Sequence, residues 1–313
     1  MDRLCTKCQK EAIVIKRDYS GESLCKKCFL RSIEEKVART ISKYSMVRYR
    51  DRVAVGVSGG KDSLSLLVIL DRLFKKRDNG NELVAVTIDE GITGYREESL
   101  QIVKQVCEEL GVESQVLSYK TLFGTTMDEA MVTRPSEKMT SCSMCGTFRR
   151  RAIDIAAEQA GATVVATAHN LDDHIQTFMI NVLAGDSDRI GWTHPASTSY
   201  GKGLRKIKPL VEIPEYEVAF YALQRGLPFQ SEECPYMAES IRTEIRAFFN
   251  ALEREHPGIK HNAFSSILKI SEGIQSRPEK AKCEVCGRDS AGAVCSACKT
   301  VHLLQGSSNN TQI

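Results

Sequence analysis

Twelve cysteines are many for a chain of 313 residues, and their spacing is what could do chemistry. Ten fall into five Cys-x-x-Cys pairs, leaving Cys107 and Cys234 single. Thiols so spaced either bind metal or act as redox dithiols. Cys5, Cys8, Cys25 and Cys28 supply four thiolates near the start, and Cys283, Cys286, Cys295 and Cys298 supply four near the end. Each set suits a tetrahedral zinc ribbon. So short a segment builds no core of its own, whereas zinc binding worth about 10–16 kcal/mol can fold it. Cys142 and Cys145 form the fifth pair, with Cys234 as the natural third partner. Three thiolates could hold a 4Fe-4S cluster with one iron open to inorganic sulfur. They could equally run persulfide chemistry, with Cys142 or Cys145 as a thiolate at a helix start and Cys234 resolving the intermediate. Cys107 is expected in the core, on the apolar face of a helix.

The second chemical stretch is Gly56-Val57-Ser58-Gly59-Gly60-Lys61-Asp62-Ser63. An apolar β-branched run precedes it and Leu64–Leu70 continues as a buried helix, so the sequence predicts strand, glycine turn and helix start. Backbone N–H groups and the helix dipole make such a place an anion site, to which Ser58, Lys61 and Ser63 add donors. The Walker pattern needs different glycine spacing. Ser-Gly-Gly-Lys-Asp-Ser resembles instead the PP-loop of ATP pyrophosphatases, which hold the β,γ-phosphates of ATP and release pyrophosphate.

Positioning these groups needs a scaffold. Strands are expected at Val53–Val57, Leu83–Ile88, Val112–Leu117 and Thr163–Ala168, alternating with helices at Asp62–Lys76, Tyr95–Leu110, Cys145–Ala160 and Leu171–Leu183. That alternation predicts an α/β, doubly wound parallel sheet with ligands at the carboxyl ends of its strands. The loops beginning at Gly56, Asp89 and Ala168 should converge on one nucleotide. In the last, Asn170 can cap a helix, and Asp172 with Asp173 suits its first turn. Two acids beside a phosphate site point to Mg²⁺, with Asp173 the better candidate. His169 is read as structural rather than as a base. Cys142 and Cys145 are placed in the connection before their helix.

The expected organisation is a ribbon over 1–30, a linking helix over 31–50 with apolar residues at Phe29, Ile33, Val37 and Ile41, and the nucleotide domain over 51–200. A helical, substrate-framing region follows over 201–278, with helices at Tyr216–Arg225, Ser240–Glu255 and Asn262–Gln275. Gly191–Pro195 and Tyr200–Gly203 read as loop. The second ribbon covers 279–303 and a disordered tail 304–313. Hydrophobic content of 42%, charged content of 27% and net charge +3 are ordinary for a soluble protein. No stretch reaches membrane-spanning length, and residues 1–30 carry cysteines and charges where a signal peptide would need an apolar core, so no membrane partner and a cytoplasmic location are expected. Local basic clusters, among them Arg149–Arg151 and Lys202–Lys208, are the candidate nucleic-acid contacts.

The PP-loop, the distant third cysteine, Ala168-His169-Asn170-Leu171-Asp172-Asp173 and the paired ribbons together resemble the TtuA/NcsA group of tRNA 2-thiouridine synthetases over residues 3–300. The resemblance implies a tRNA uridine 2-sulfurtransferase that adenylates the uridine C2 oxygen with ATP and Mg²⁺ and then displaces AMP with sulfur. It implies that Cys142, Cys145 and Cys234 bind a 4Fe-4S cluster and that the ribbons hold two Zn²⁺. The nucleotide would contact Gly56–Ser63, Ile88, Ala168 and Asp173, with Asp62, Arg149 and Asp173 joining the cysteines as catalytic residues. Some relatives carry lysine where Arg149 stands. Guanidinium stays charged, so its implied role is charge stabilisation rather than acid–base work. tRNA, a sulfide or carrier-protein sulfur donor and a homodimer are the implied partners. The rival readings are a 2-thiocytidine synthetase or other PP-loop enzyme using persulfide chemistry, and a zinc-ribbon RNA-binding protein with an inert nucleotide site.

Overall fold

The computed structural model describes residues 4–77, 80–135, 139–191, 193–195, 204–236, 241–274 and 281–308. A hairpin of β1 (Ile15–Arg17) and β2 (Glu22–Leu24) turns through Gly21, whose φ of 72° suits a residue without Cβ. It leads into α1 (Lys26–Lys43), which buries Phe29, Ile33, Val37 and Ile41, the four-residue rhythm read from the sequence. β3 (Arg52–Gly56), α2 (Lys61–Arg77), β4 (Glu82–Asp89), α3 (Arg96–Leu110) and β5 (Glu113–Ser118) form the first half of the core. Two short helices, α4 (Tyr119–Phe123) and α5 (Met127–Thr133), precede α6 (Ser141–Gln159). The second half runs β6 (Val164–Ala166), α7 (Leu171–Leu183), α8 (Ser187–Gly191), β7 (Arg205–Ile207) and α9 (Glu215–Arg225). Helices α10 (Arg242–Glu255) and α11 (Ile259–Gly273) follow, and the chain closes with β8 (Ala281–Lys282), β9 (Asp289–Ser290) and α12 (Ser296–Ser308).

The sheet is all parallel, in the order β5-β4-β3-β6-β7. Strand order reverses between β3 and β6, so the loops after these two strands part to open a crevice at the sheet's carboxyl edge. Side-chain alternation sorts the layers. Val53, Val55 and Val57 join a core with α1, α2, α3 and α9, in which Cys107 is buried. Ala54, Val84, Val86 and Val165 pack the other face with Tyr119 of α4, Met127 of α5 and Ala152 and Ala156 of α6. Leu24, Cys5 and Cys25 belong to the first core, whereas Cys283, Cys295 and Leu304 belong to the second. The two ribbons therefore sit on opposite faces of one sheet.

A buried ion pair fastens the first ribbon. Arg17 on β1 meets Glu217 on α9 at 2.7 Å, and Glu217, wholly buried, also accepts from Tyr19 at 2.6 Å and Tyr216 at 3.2 Å. Splitting either partner would strand a charge away from water.

Three expectations need correction. Arg205-Lys206-Ile207 is short and basic and carries no strand signal, yet as β7 it pairs with β6 and takes the sheet past the expected boundary at residue 200. Cys142 and Cys145 do not precede their helix: Thr140 caps α6 by accepting from Ser143 N–H, placing both cysteines inside it. The tail expected to be disordered from residue 304 continues α12 through Ser308, because Leu304 is buried against the second core. Tyr200–Gly203, Ser240, Gln275 and residues 309–313 lie outside the described residues.

Candidate active site

The glycine turn after β3 is braced from within. Ser58 N–H donates to Ser63 Oγ at 3.1 Å, and Ser63 Oγ donates to the Gly60 carbonyl at 3.0 Å. Gly59 adopts φ 85°, and a Cβ there would lie 2.7 Å from Ser99 Cβ. The turn can thus lie flat against α3 only as glycine. Its outer carbonyls are held as well: Arg96 donates to Ser58 O at 3.0 Å and Gln230 N–H to Gly59 O at 3.1 Å. Gly56 ends β3, Ile88 stands next to last in β4 and Ala168 follows β6, so all three reach the same carboxyl edge.

Across the crevice, Asn170 caps α7 and exchanges hydrogen bonds with Asp173, at 3.0 and 3.3 Å. The adjacent acids have different jobs. Asp172 is buried, ion-paired with Lys260 of α11 and accepting from Glu215 N–H at 2.7 Å. Asp173 turns toward the PP-loop and stands 3.9 Å from Arg242. Lys61 Nζ contacts Asp62 at 3.1 Å and Glu215 at 3.2 Å. Burial pushes the Asp62 carboxyl up to about 6, against the pull of Lys61, and the charges of Asp173 and Glu215 push the same way. Burial also raises Asp173.

Asp62 Oδ1 is buried with no hydrogen-bond partner in the protein. An orphaned carboxylate oxygen beside a second acid, facing an anion-binding turn, fits a hard divalent cation shared with phosphate oxygens. A pH dependence follows. Metal-free, the folded state holds a proton on Asp62 that the unfolded chain releases near 3.8, so stability falls as pH rises from about 4 through about 6. Mg²⁺ binds the ionised form. Magnesium with ATP is therefore expected to raise Tm more at about pH 7.5 than at about pH 5, and Asp62→Asn to flatten that difference in calorimetry.

The segment of the third cysteine packs against the helix that carries the first two. Cys142 and Cys145 lie one turn apart on α6. Cys142 Sγ is 4.0 Å from the Tyr236 carbonyl, and Ser141 Oγ donates to that carbonyl at 2.8 Å. This pins the segment holding Cys234, two residues earlier, over the start of α6. Burial raises the Cys234 thiol, and the charges of Cys145 and Cys142 raise it further. Arg149 Nη2 stands 3.2 Å from Cys145 Sγ, and Tyr119 donates to the Cys145 carbonyl at 2.9 Å.

A buried carboxylate links this sulfur corner to the PP-loop. Glu90 meets Arg149 Nε at 3.0 Å through one oxygen and Arg96 Nε at 2.7 Å through the other. Arg96 is the residue that props Ser58. Gln230 makes a second link, binding Gly59 four residues before Cys234 and donating to Tyr95 O at 2.6 Å.

Spacing separates the cysteine sets. In each ribbon four sulfurs lie within 4.8 Å of one another, with Cys8–Cys25 and Cys286–Cys295 at 3.9 Å. Tetrahedral Zn–S bonds of about 2.3 Å space sulfurs by about 3.8 Å. Backbone N–H groups point at the sulfurs, as from Cys295 to Cys283 at 3.3 Å, and such donors hold the Cys283 thiol down at about 6. Both sets fit one zinc ion each. Among the described residues Cys142, Cys145 and Cys234 form no such tight group.

Residues 31–252 match the family model described as the PP-loop domain, and residues 4–30 match that of the 2-thiouridine synthetase TtuA N-terminal LIM domain. The tRNA 2-thiolation protein NcsA of Haloferax volcanii is 36% identical over 96% of this chain and 99% of its own. The cytoplasmic tRNA 2-thiolation protein 1 of Danio rerio is 37% identical over 96% of this chain and 88% of its own. Among solved structures, the U34-tRNA thiolase NcsA from Methanococcus maripaludis, with its 4Fe-4S cluster, superposes with a TM-score of 0.83 at 33% identity, covering 95% of both chains. The chain belongs to the NcsA family of tRNA 2-thiolation proteins. It is accordingly a tRNA sulfurtransferase built on a PP-loop domain.

In this thiolase, sequence reasoning missed Glu90, Arg96, Gln230 and the α10 arginines, because their partners lie far along the chain. His169 bonds Thr167 Oγ1 at 2.8 Å, while burial and the cations Lys208, Arg242, Arg150 and Arg149 push its ring down to about 3. It stays neutral at physiological pH. Among the described residues no helix is long and apolar enough to cross a membrane.

Proposed function

We propose that the chain converts a tRNA uridine to 2-thiouridine in two displacements on one ATP, and that the base is uridine 34, as named for the Methanococcus maripaludis relative. First the uridine O2 attacks the α-phosphorus. The bond to the bridging oxygen breaks, pyrophosphate leaves with the electron pair, and the N3 proton goes to solvent. Then hydrosulfide attacks C2. The C2–O bond breaks, AMP departs with the oxygen, and the sulfhydryl proton ends on N3. A carbonyl oxygen leaves poorly, and adenylation makes it a phosphate leaving group.

Gly56–Ser63 cradle the β,γ-phosphates, with Lys61 on the phosphates and Asp62 and Asp173 on Mg²⁺. Ile88 and Ala168 flank the nucleoside. Arg149, fixed by Glu90, faces the adenylated base with permanent positive charge. Cys142, Cys145 and Cys234 would hold a 4Fe-4S cluster, which when bound supplies an open iron for the incoming sulfur. The ribbons would take two Zn²⁺, and the cations around His169 would receive the tRNA phosphates of an unstacked base. The sulfur donor is a source of hydrosulfide, free or delivered by a carrier protein.

The observation that carries this reading is the Ser58–Arg96–Glu90–Arg149–Cys145 path, which joins a phosphate loop to a thiolate. The test incubates anaerobically purified protein with tRNA, ATP, Mg²⁺ and sulfide, then analyses nucleosides by mass spectrometry. The expected product is 2-thiouridine with AMP and pyrophosphate in equal amounts. AMP formation without thiolated base, or thiolation by iron-free protein, sinks the reading, and the latter favours persulfide chemistry.

A further inference from the structure

Two arginines on one face of α10 stand over the acids that border the PP-loop. Arg242 and Arg246 are four residues apart and so share that face, while Phe249 packs with Ile175 of α7 and Phe264 of α11, and Ile245 is buried. Arg242 is steadied by Gln176 at 3.1 Å and Thr177 at 3.2 Å, which aims its guanidinium at the first turn of α7. Arg246 Nε is buried without a hydrogen-bond acceptor. Arg242 lies 3.9 Å from the Asp173 carboxylate and donates to the Asp173 carbonyl at 3.4 Å, while Arg246 has the Glu215 carboxylate 3.9 Å away. The Arg246–Glu215 distance exceeds hydrogen-bond length, whereas a seated arginine–carboxylate pair closes to about 2.7–2.9 Å. Glu215 also touches Lys61 at 3.2 Å, which sets it at the phosphate loop. An unsatisfied donor of α10 and the unsatisfied Asp62 Oδ1 therefore lie at one site and carry opposite signs.

We propose that Arg242 and Arg246 are catalytic residues that grip the β,γ-phosphates of ATP from the side facing the PP-loop. The inference rests on the adenylating function proposed above and extends it to the leaving group. As the bond from the α-phosphorus to the bridging oxygen breaks, its electron pair moves onto pyrophosphate. Negative charge thus grows where a cation on each wall stabilises it most. Lys61 is the one cation of the PP-loop itself and is shared between two acids. Glu215 keeps the place on Lys61 and Arg246 that phosphate oxygens take over.

The test compares the full-length, cluster-loaded parent with Arg246→Ala, Arg246→Lys and Arg242→Gln. Calorimetric titration with magnesium pyrophosphate reads the grip alone, and AMP formation with tRNA reads catalysis. Removing one charge-assisted hydrogen bond to phosphate at either site predicts pyrophosphate binding weaker by about 10- to 100-fold for Arg246→Ala and Arg242→Gln, with AMP formation slowed by a similar factor. Arg246→Lys should recover part of both. Iron content should stay at the parent value in all three, and Tm in the two Arg246 variants. Pyrophosphate binding within twofold of the parent in Arg246→Ala overturns the proposal. If that variant unfolds, the same threshold applied to Arg246→Lys and Arg242→Gln decides. A parent that binds pyrophosphate but makes no AMP with tRNA would instead defeat the thiolation reading and leave the grip standing on the titration.

Discussion

Cys234→Ala is expected to lose its iron and its thiolation activity while staying folded and keeping both zinc ions. Residues 227–236 form no helix or strand, and Cys234 is only half-buried beside the second core. Losing one sulfur there costs no more than about 1 kcal/mol of packing. The segment of Cys234 is held over the start of α6, where Ser141 Oγ donates to the Tyr236 carbonyl at 2.8 Å. Three thiolates are already one short of a full cluster set, so losing a third ligand should release the iron. Cys286→Ala should do the reverse, releasing one zinc and loosening α12 while sparing the iron. Iron, sulfide and zinc analysis of both proteins, prepared without oxygen, separates the outcomes. Full iron in Cys234→Ala would remove that residue from the ligand set and revive the persulfide alternative.

Gly59→Ala should be nearly as damaging, through backbone rather than chemistry. A Cβ at φ 85° costs on the order of 1–2 kcal/mol by itself. Here it would also lie 2.8 Å from the Ser99 carbonyl oxygen and 3.0 Å from Ser99 Cα, and Ser99, wholly buried, has no room to retreat. Moving the loop instead breaks the Gln230-to-Gly59 hydrogen bond. The expected result is a KM for ATP raised by about 100-fold, as about 3 kcal/mol of disturbed loop geometry implies, together with a lower Tm. Gly60→Ala is the control for stability. Its Cβ would meet Ser58 Oγ at 3.5 Å, an ordinary van der Waals distance, so its Tm should match the parent's. Equal Tm losses in both variants would show that the strain argued at Gly59 is absent.

The scaffold was legible where physics is local. β-branched runs gave β3 and β4 to within a residue or so, and the Asn170 cap gave α7. β7 escaped because three residues, two of them basic, carry no periodicity, and only pairing with β6 makes them a strand. Asp172 and Asp173 are equivalent in a sequence. A turn of about 100° per residue sends one to Lys260 and the other to the crevice. Both ribbons could be read from four cysteines each, since metal spacing is a short-range property. Glu90 could not. Nothing near it in the chain announces that one carboxylate will hold Arg96 and Arg149, which enter on different helices.

The fastening of the first ribbon also bears on how the protein is made. Arg17 leaves the ribosome well before the carboxylate that receives it, which is 200 positions later. Until α9 has been synthesised, the amino-terminal ribbon can bind its metal but has nowhere to dock, and its guanidinium must wait in water. Closure of so long a loop is slow, and neighbouring chains on one message could trade partners meanwhile. The ribbon of Cys5–Cys28 is thus able to hold a shape before the sheet behind it is made, yet takes its seat only once α9 has arrived.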